Sequence, residues 1–342
     1  MLPGLLVTLL AGILGGSVLL PLKFMTRWPF QNSWAVYSFW AYFAMPWVVA
    51  FATVPNLLSV YTQVSMSTMV ICALCGMGWG IAVVLFGISV HLVGLSLASA
   101  IIYGASVAIG SLAPLILSYA DKLATTQGKI IIVANAIMVT GIVLCALAGK
   151  KRDEAKGAPE ASESEKGMSQ APARFAKGLS AAVAAAILSS LFNIALAYGG
   201  EFNRLAEANG ANPINAANAQ WAFTVTFGFL PNLLVSLVRL SQENLWPVYR
   251  QETALSHWLW PPLMGLMWIG GTAIYGSGAS LLGPLGPVIG WPVYMSTMII
   301  LGNFWGWIMK EWSRAPSVAL RLLMSGIAVQ VLAISMLSFA NR

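Results

Sequence analysis

Charge is scarce in this chain. Only 8% of its 342 residues are Asp, Glu, Lys or Arg, against 58% hydrophobic residues and a mean hydropathy of +0.78. A soluble domain carries about 25% charged residues. This chain cannot clothe a water-facing surface, so lipid must be its solvent over most of its length. Carboxylates are scarcest of all. Outside the stretch 149–177 there are only Asp121, Glu201, Glu207, Glu243, Glu252 and Glu311, all in expected loops or at expected helix ends. No acid is expected at mid-membrane, where one would by default carry a proton. With two histidines, His91 and His257, and no H-E-x-x-H or G-x-S-x-G spacing, no enzyme is expected. Cys72, Cys75 and Cys145 are the three cysteines, all in apolar runs. Cys72-x-x-Cys75 has no second ligand pair nearby, so it reads as small packing residues, and neither metal nor organic cofactor is expected.

What the chain does have is long apolar runs. Crossing a bilayer takes about 20 such residues, and backbone polar groups in lipid must pair within a helix. The runs lie near 2–21, 33–53, 67–90, 93–119 and 130–148, then near 178–199, 219–238, 255–277, 284–309 and 318–339. They predict an all-α integral membrane protein of ten transmembrane helices. The first run has no basic residue before it, and Lys23 and Arg27 follow it, so it reads as a retained helix and not a cleaved signal. Residues 149–177 are charged, contain Ser, Gly and Pro, and have few large apolar side chains. They read as a flexible linker between a five-helix block, 1–148, and a second, 178–342.

The excess of basic residues carries topology. Thirteen of the eighteen Lys and Arg fall in loops after the odd-numbered helices, and Arg321 lies in the first turn of the tenth run at the same side. The basic side faces the cytoplasm, which puts the linker inside and both termini outside. The net charge of +7 is therefore no sign of a nucleic-acid partner. Five spans per block also mean that the second block enters the membrane inverted. A trace of duplication agrees. Gly76, Trp79, Phe86, Gly87 and Gly94 match Gly265, Trp268, Tyr275, Gly276 and Gly283 at one constant offset. Inverted repeats with a site at their interface are a recurrent transporter design.

Several short motifs are familiar: Pro21-Leu22-Lys23, Gly76-x-x-Trp79-Gly80, Gly94-Leu95-Ser96, Gly104, Gly110-Ser111-Leu112-x-Pro114 and Lys310-Glu311-Trp312. Through them, and along nearly its whole length outside the linker, the chain resembles the L-rhamnose–proton symporter family of the drug/metabolite transporter superfamily. The resemblance implies a ten-span protein of the bacterial inner membrane that imports a deoxyhexose with a proton, driven by the proton gradient. It also leads one to expect ionisable residues between helices 8 and 9 and at the start of helix 9, whereas 276–295 contains no Asp, Glu, His, Lys or Arg, and His91 stands where a basic residue precedes the Gly-Leu-Ser run.

A sugar site in lipid needs aromatic faces and fixed hydrogen-bonding groups. The aromatic candidates are Trp79, Trp268, Tyr103, Tyr275, Trp291 and Tyr294, with filling of the core or interfacial anchoring as the alternative. Asn193 and Asn303 are candidates for lining a cavity, with Asn135 and Gln220 behind them, and a plain helix–helix hydrogen bond is the alternative for each. Trp79→Ala and Asn303→Ala are expected to stop transport. Glu201, His91, Lys23 and Glu311 are the candidates for proton coupling, against capping, headgroup contact or snorkelling. A channel, an exporter or exchanger on the same fold, and a sensor are the competing readings.

Overall fold

A computed structural model describes residues 2–155, 171–251 and 255–340. Among them there is no strand. The long helices, numbered in chain order, are α1 Leu2–Ser17, α2 Phe30–Thr53, α3 Met66–Val93, α4 Leu95–Ser118 and α5 Thr126–Ala155. They continue with α6 Ala171–Tyr198, α7 Ala217–Gln242, α8 Ser256–Leu281, α9 Gly286–Ile308 and α10 Ser317–Ala340. Nine helices among the described residues are long and apolar enough to cross a membrane. The remaining long helix is α8, which has 26 residues, and its Trp, Gly, Ser and paired Pro261 and Pro262 dilute its apolar character. Outward faces are greasy: Leu230, Leu234 and Leu237 of α7 are all exposed. A face of that kind calls for lipid.

The helices match the ten apolar runs to within a few residues. Around the linker the boundaries move. α5 continues to Ala155 and α6 starts at Ala171, so helix takes up both ends of 149–177. The centre of that linker, 156–170, lies outside the described residues. Short helices at Leu57–Gln63 and Gly200–Ala208 occupy stretches expected to be loop. They were not legible because each is too short to cross lipid.

Packing follows a regular scheme. α1 lies against α8 and α9, α3 against α6 and α7, α4 against α6, α2 against α7 and α8, and α5 against α10. Close approach depends on glycine. A methyl group on Gly76 would run into the carbonyl oxygen of Thr224, and one on Gly80 into that of Gly228. Gly87, on the same helix, has open space around it. Gly80→Ala is therefore expected to destabilise the protein by about 1–3 kcal/mol through overpacking, while Gly87→Ala is neutral. Thermal melts in detergent compare the two.

Two local features set up the centre. Helix α2 is interrupted by a π-helical segment at Trp40–Ala44, just before Pro46. Proline lacks an N–H and disturbs the turn before it, and such bulges re-aim side chains. Here Ala41 and Tyr42 face inward. Gly265 lets α8 approach that segment, since a Cβ there would crowd Trp40 and the Ala41 amide. Separately, Gly94 between α3 and α4 and Gly283 between α8 and α9 both take positive φ, 84° and 79°. Glycine adopts that region without a Cβ penalty.

Candidate functional site

The middle of the bundle is a cluster of aromatic rings. Trp79 of α3 stacks on Trp268 of α8, with centroids 5.5 Å apart and planes 30° apart. Tyr42, turned inward by the π segment, stands edge-on to both at 5.0 Å. Phe192 of α6 lies 5.0 Å from Trp79, and on its other side it stacks on Trp221 of α7 at 4.7 Å. A second group adjoins it, with Tyr275 stacked on Tyr294 at 4.9 Å and Trp291 within 6.0 Å of each. Trp291 and Phe192 join the two groups at 6.1 Å.

Asn193 is the polar centre. Its amide donates to the carbonyls of Gly110 at 2.8 Å and Pro287 at 2.9 Å, and its oxygen accepts from the Tyr275 hydroxyl. One buried side chain therefore ties α6 to α4, α8 and α9. The Trp291 indole donates to Ser106 O at 3.0 Å. Asn135 donates to Ser111 Oγ at 3.0 Å, and Ser111 donates onward to Val288 O at 2.6 Å. In this conformation the rings lie against one another and these polar groups bond helix to helix, so the cluster is closed.

The other candidates lie elsewhere. Asn303 is half-buried and donates to Ile299 O of its own helix, so it belongs to no cluster. Tyr103 is half-buried beside Phe86, 5.7 Å away. Gln220 donates to Ala195 O. Asn193→Ala would strand two carbonyls and a phenol in the core. It is expected to lower stability by about 2–4 kcal/mol, at 1–3 kcal/mol per unsatisfied group with partial relaxation, and to stop transport. Asn303→Ala frees only one intrahelical acceptor, so it is expected to transport within about twofold of the parent. Uptake assays beside melting curves separate the pair.

The candidates for proton coupling divide between the two ends of the bundle. At the end carrying the linker, Glu311 receives the Lys23 ammonium on one oxygen and Arg152 on the other at 3.2 Å. Arg152 also bonds Asp153 at 2.8 Å and lies 4.8 Å above the buried Trp312 ring. Lys23 follows α1, Arg152 ends α5 and Glu311 follows α9, so three helix ends meet there. His91 is exposed in the last turn of α3. At the opposite end, Glu201 accepts from the Ser65 amide at 3.2 Å, the Ser65 hydroxyl at 2.6 Å and the Thr68 hydroxyl, fastening the start of α3. In the link between α7 and α8, burial pushes the Tyr249 phenol up to about 12.

Tyr42, Phe192, Trp221 and Arg152 were not singled out by sequence. Tyr42 was hidden among the six aromatics from Trp34 to Phe43, because the π segment is what turns its ring inward. Arg152 looked like one more linker charge. Cys72, Cys75 and Cys145 are buried and free, and no group of three His, Cys, Asp or Glu suited to a metal occurs among the described residues.

Apolar spans around a closed aromatic centre define a multi-pass membrane protein. The sequence profile of the L-rhamnose-proton symport protein (RhaT) family matches residues 2–341, and the chain belongs to that family, so it is a transporter and not an enzyme. It is similar to the L-rhamnose-proton symporter of Citrobacter koseri, 24% identical over 320 residues, which are 92% of this chain and 90% of the relative. The L-rhamnose-proton symporters of Escherichia coli strain ATCC 8739 and of Klebsiella pneumoniae are similar to the same degree, 24% over 92% of this chain and 90% of each.

Proposed function

We propose that this protein is a secondary transporter that imports L-rhamnose or a related deoxyhexose with a proton, by alternating access between two inverted five-helix repeats. The observation that carries this reading is the stacked Trp79–Trp268 pair. Each is the counterpart of the other at the repeat offset, and two counterparts can touch only at the two-fold axis relating the halves. The helix contacts support the same symmetry. The pairing of α3 with α6 answers that of α8 with α1, that of α4 with α6 answers α9 with α1, and α5 pairs with its own counterpart α10. Gly94 and Gly283 answer each other in position and in φ. On this reading α8 is the tenth span, and the ring cluster with Asn193 is where the sugar binds.

The basic-residue bias puts the linker face in the cytoplasm and both termini in the periplasm of the bacterial inner membrane. Glu311 is the proton-coupling residue these contacts favour over Glu201 and His91, because its bridge between the halves is ionic, to Lys23 and Arg152, whereas Glu201 reaches across to Ser65 and Thr68 through neutral donors. The test is counterflow and net uptake of labelled L-rhamnose in proteoliposomes containing a pH dye. Inward sugar movement is expected to acidify the lumen. Uptake indifferent to a pH gradient removes symport, and no uptake of any deoxyhexose removes the substrate assignment.

A further inference from the structure

Apart from the central rings, a cleft of about 550 Å³ lies between α2, α7 and the start of α8. One wall is a single stripe of α7, made by Phe229, Leu233, Ser236, Leu237 and Leu240, which share a face at helical spacing. The facing wall includes Ala35, Val36, Phe39 and Trp40 of α2. No Asp, Glu, Lys or Arg is among the lining residues. Three polar groups of the wall are already bonded to protein. The Ser38 hydroxyl donates to Ala35 O at 3.0 Å, the Tyr249 hydroxyl to Asn32 O at 3.1 Å and the Trp246 indole to Ser241 Oγ at 3.1 Å. The cleft therefore offers hydrocarbon contact and little hydrogen bonding, which suits an alkyl chain and not a sugar.

The mouth of the cleft opens toward lipid. Phe39 on one wall and Leu237 on the other are 42% and 41% exposed, whereas Leu240 on the floor is 2% exposed. From Phe229 to Leu240 the stripe runs about 16 Å at 1.5 Å per residue. That is the depth of one leaflet of a hydrocarbon core about 30 Å thick. The cleft reaches from Trp40 of the π segment to Trp246, Tyr249 and Trp258 at the linker face. Trp and Tyr gather where hydrocarbon meets headgroups, so the groove is aligned with a lipid chain whose headgroup lies at that end.

Charge at the linker-face end selects the headgroup. Arg239 precedes Leu240 and Arg250 follows Tyr249. Arg27 precedes Trp28, whose ring stands edge-on to Trp258 at 4.9 Å and to Tyr249 at 5.3 Å. All three arginines are exposed. Arg239 pairs with Glu243 at 3.5 Å, and Glu243 also accepts from Gln31 at 2.7 Å. The Arg27 and Arg250 side chains form no ion pair among the described residues. Three arginines stand against one carboxylate there, and basic pockets between membrane helices hold anionic headgroups.

We propose that this cleft binds a phospholipid with an anionic headgroup, one acyl chain lying along α7 and the phosphate among Arg239, Arg250 and Arg27. The proposal does not depend on which solute the protein carries. Its test is native mass spectrometry of the purified full chain, titrated with phosphatidylglycerol or with phosphatidylcholine of the same chains. Phosphatidylglycerol is expected to bind about tenfold more tightly. Arg239→Gln and Arg250→Gln are each expected to weaken it about fivefold, the worth of one basic residue beside an anionic lipid, and to leave phosphatidylcholine unchanged. Ala35→Trp puts a ring into the cleft and is expected to weaken both lipids alike. Equal binding of the two lipids by the parent would mean that lipid merely solvates an apolar face, and would overturn the site. A preference for phosphatidylglycerol that persists in both arginine variants would put the anionic site elsewhere. Unchanged binding by Ala35→Trp, in a protein that melts as the parent does, would do the same. None of these residues belongs to the proposed sugar site or proton group, so such failures leave the transport reading standing.

Discussion

Trp79→Ala lowers sugar uptake about thirty- to hundredfold while the protein still reaches the membrane. A sugar stacked on an indole gains about 2–3 kcal/mol from the buried apolar face and its ring contact, and each 1.4 kcal/mol is tenfold. The substitution also removes contacts to Trp268, Phe192 and Tyr42. A large-to-small change in a core costs about 3–5 kcal/mol, so instability is the rival explanation. Trp79→Phe separates the two. It keeps a stacking face and most of the packing, and is expected to retain roughly a tenth to a third of the parent rate. Initial rates of labelled L-rhamnose uptake, normalised to membrane protein, with a melting curve for each variant, decide the matter. Normal transport by Trp79→Ala would place the sugar elsewhere.

Glu311→Gln abolishes accumulation against a gradient but preserves counterflow. The carboxylate is one-third exposed, as is Lys23 at 39%, with Arg152 more sheltered at 16%. Ion pairs of that exposure contribute about 0–1 kcal/mol to stability, so the fold is expected to survive their loss. The consequence for the cycle is larger, because the pairs cross between the two proposed repeats. Removing them weakens the closed state of the linker face, and a shift of 1.4 kcal/mol already changes the ratio of two conformations tenfold. The expected readings are an inside-to-outside sugar ratio falling to about one, no sugar-driven acidification, and exchange within a few-fold of the parent. Retained accumulation would exclude Glu311 as the coupling group.

Most of the helix pattern was legible because lipid imposes it. A run of about 20 apolar residues has no other way to satisfy its backbone, and from Met66 to Val93 the only ionisable side chains are two cysteines and His91. The ends at Ala155 and Ala171 were not legible, since charged residues such as Lys150 and Glu154 pair at helical spacing, 3.7 Å apart, and prolong a helix beyond the apolar stretch. Within the site, Trp79 and Trp268 could be found from the repeat offset, and Asn193 from the cost of burying an amide. Tyr42 could not, because its direction depends on one π-helical segment. Asn303 has the same composition signal as Asn193, yet it bonds its own helix. Sequence supplies the type of a polar residue and not its rotation about the bundle.

The contact between Trp79 and Trp268 has one more consequence on the proposed two-fold arrangement. A pair lying on the axis exchanges with itself when the halves swap conformations, so it presents the same platform whichever compartment the sugar arrives from. Such a platform sets affinity but gives no preference for a direction. The gradients set the direction of net flux, and any difference in affinity between the two faces then has to arise in parts that lack a twin, such as Asn193 or the carboxylate held between Lys23 and Arg152. In this chain the grip on the sugar and its coupling to the proton would be separable properties, each open to selection without the other.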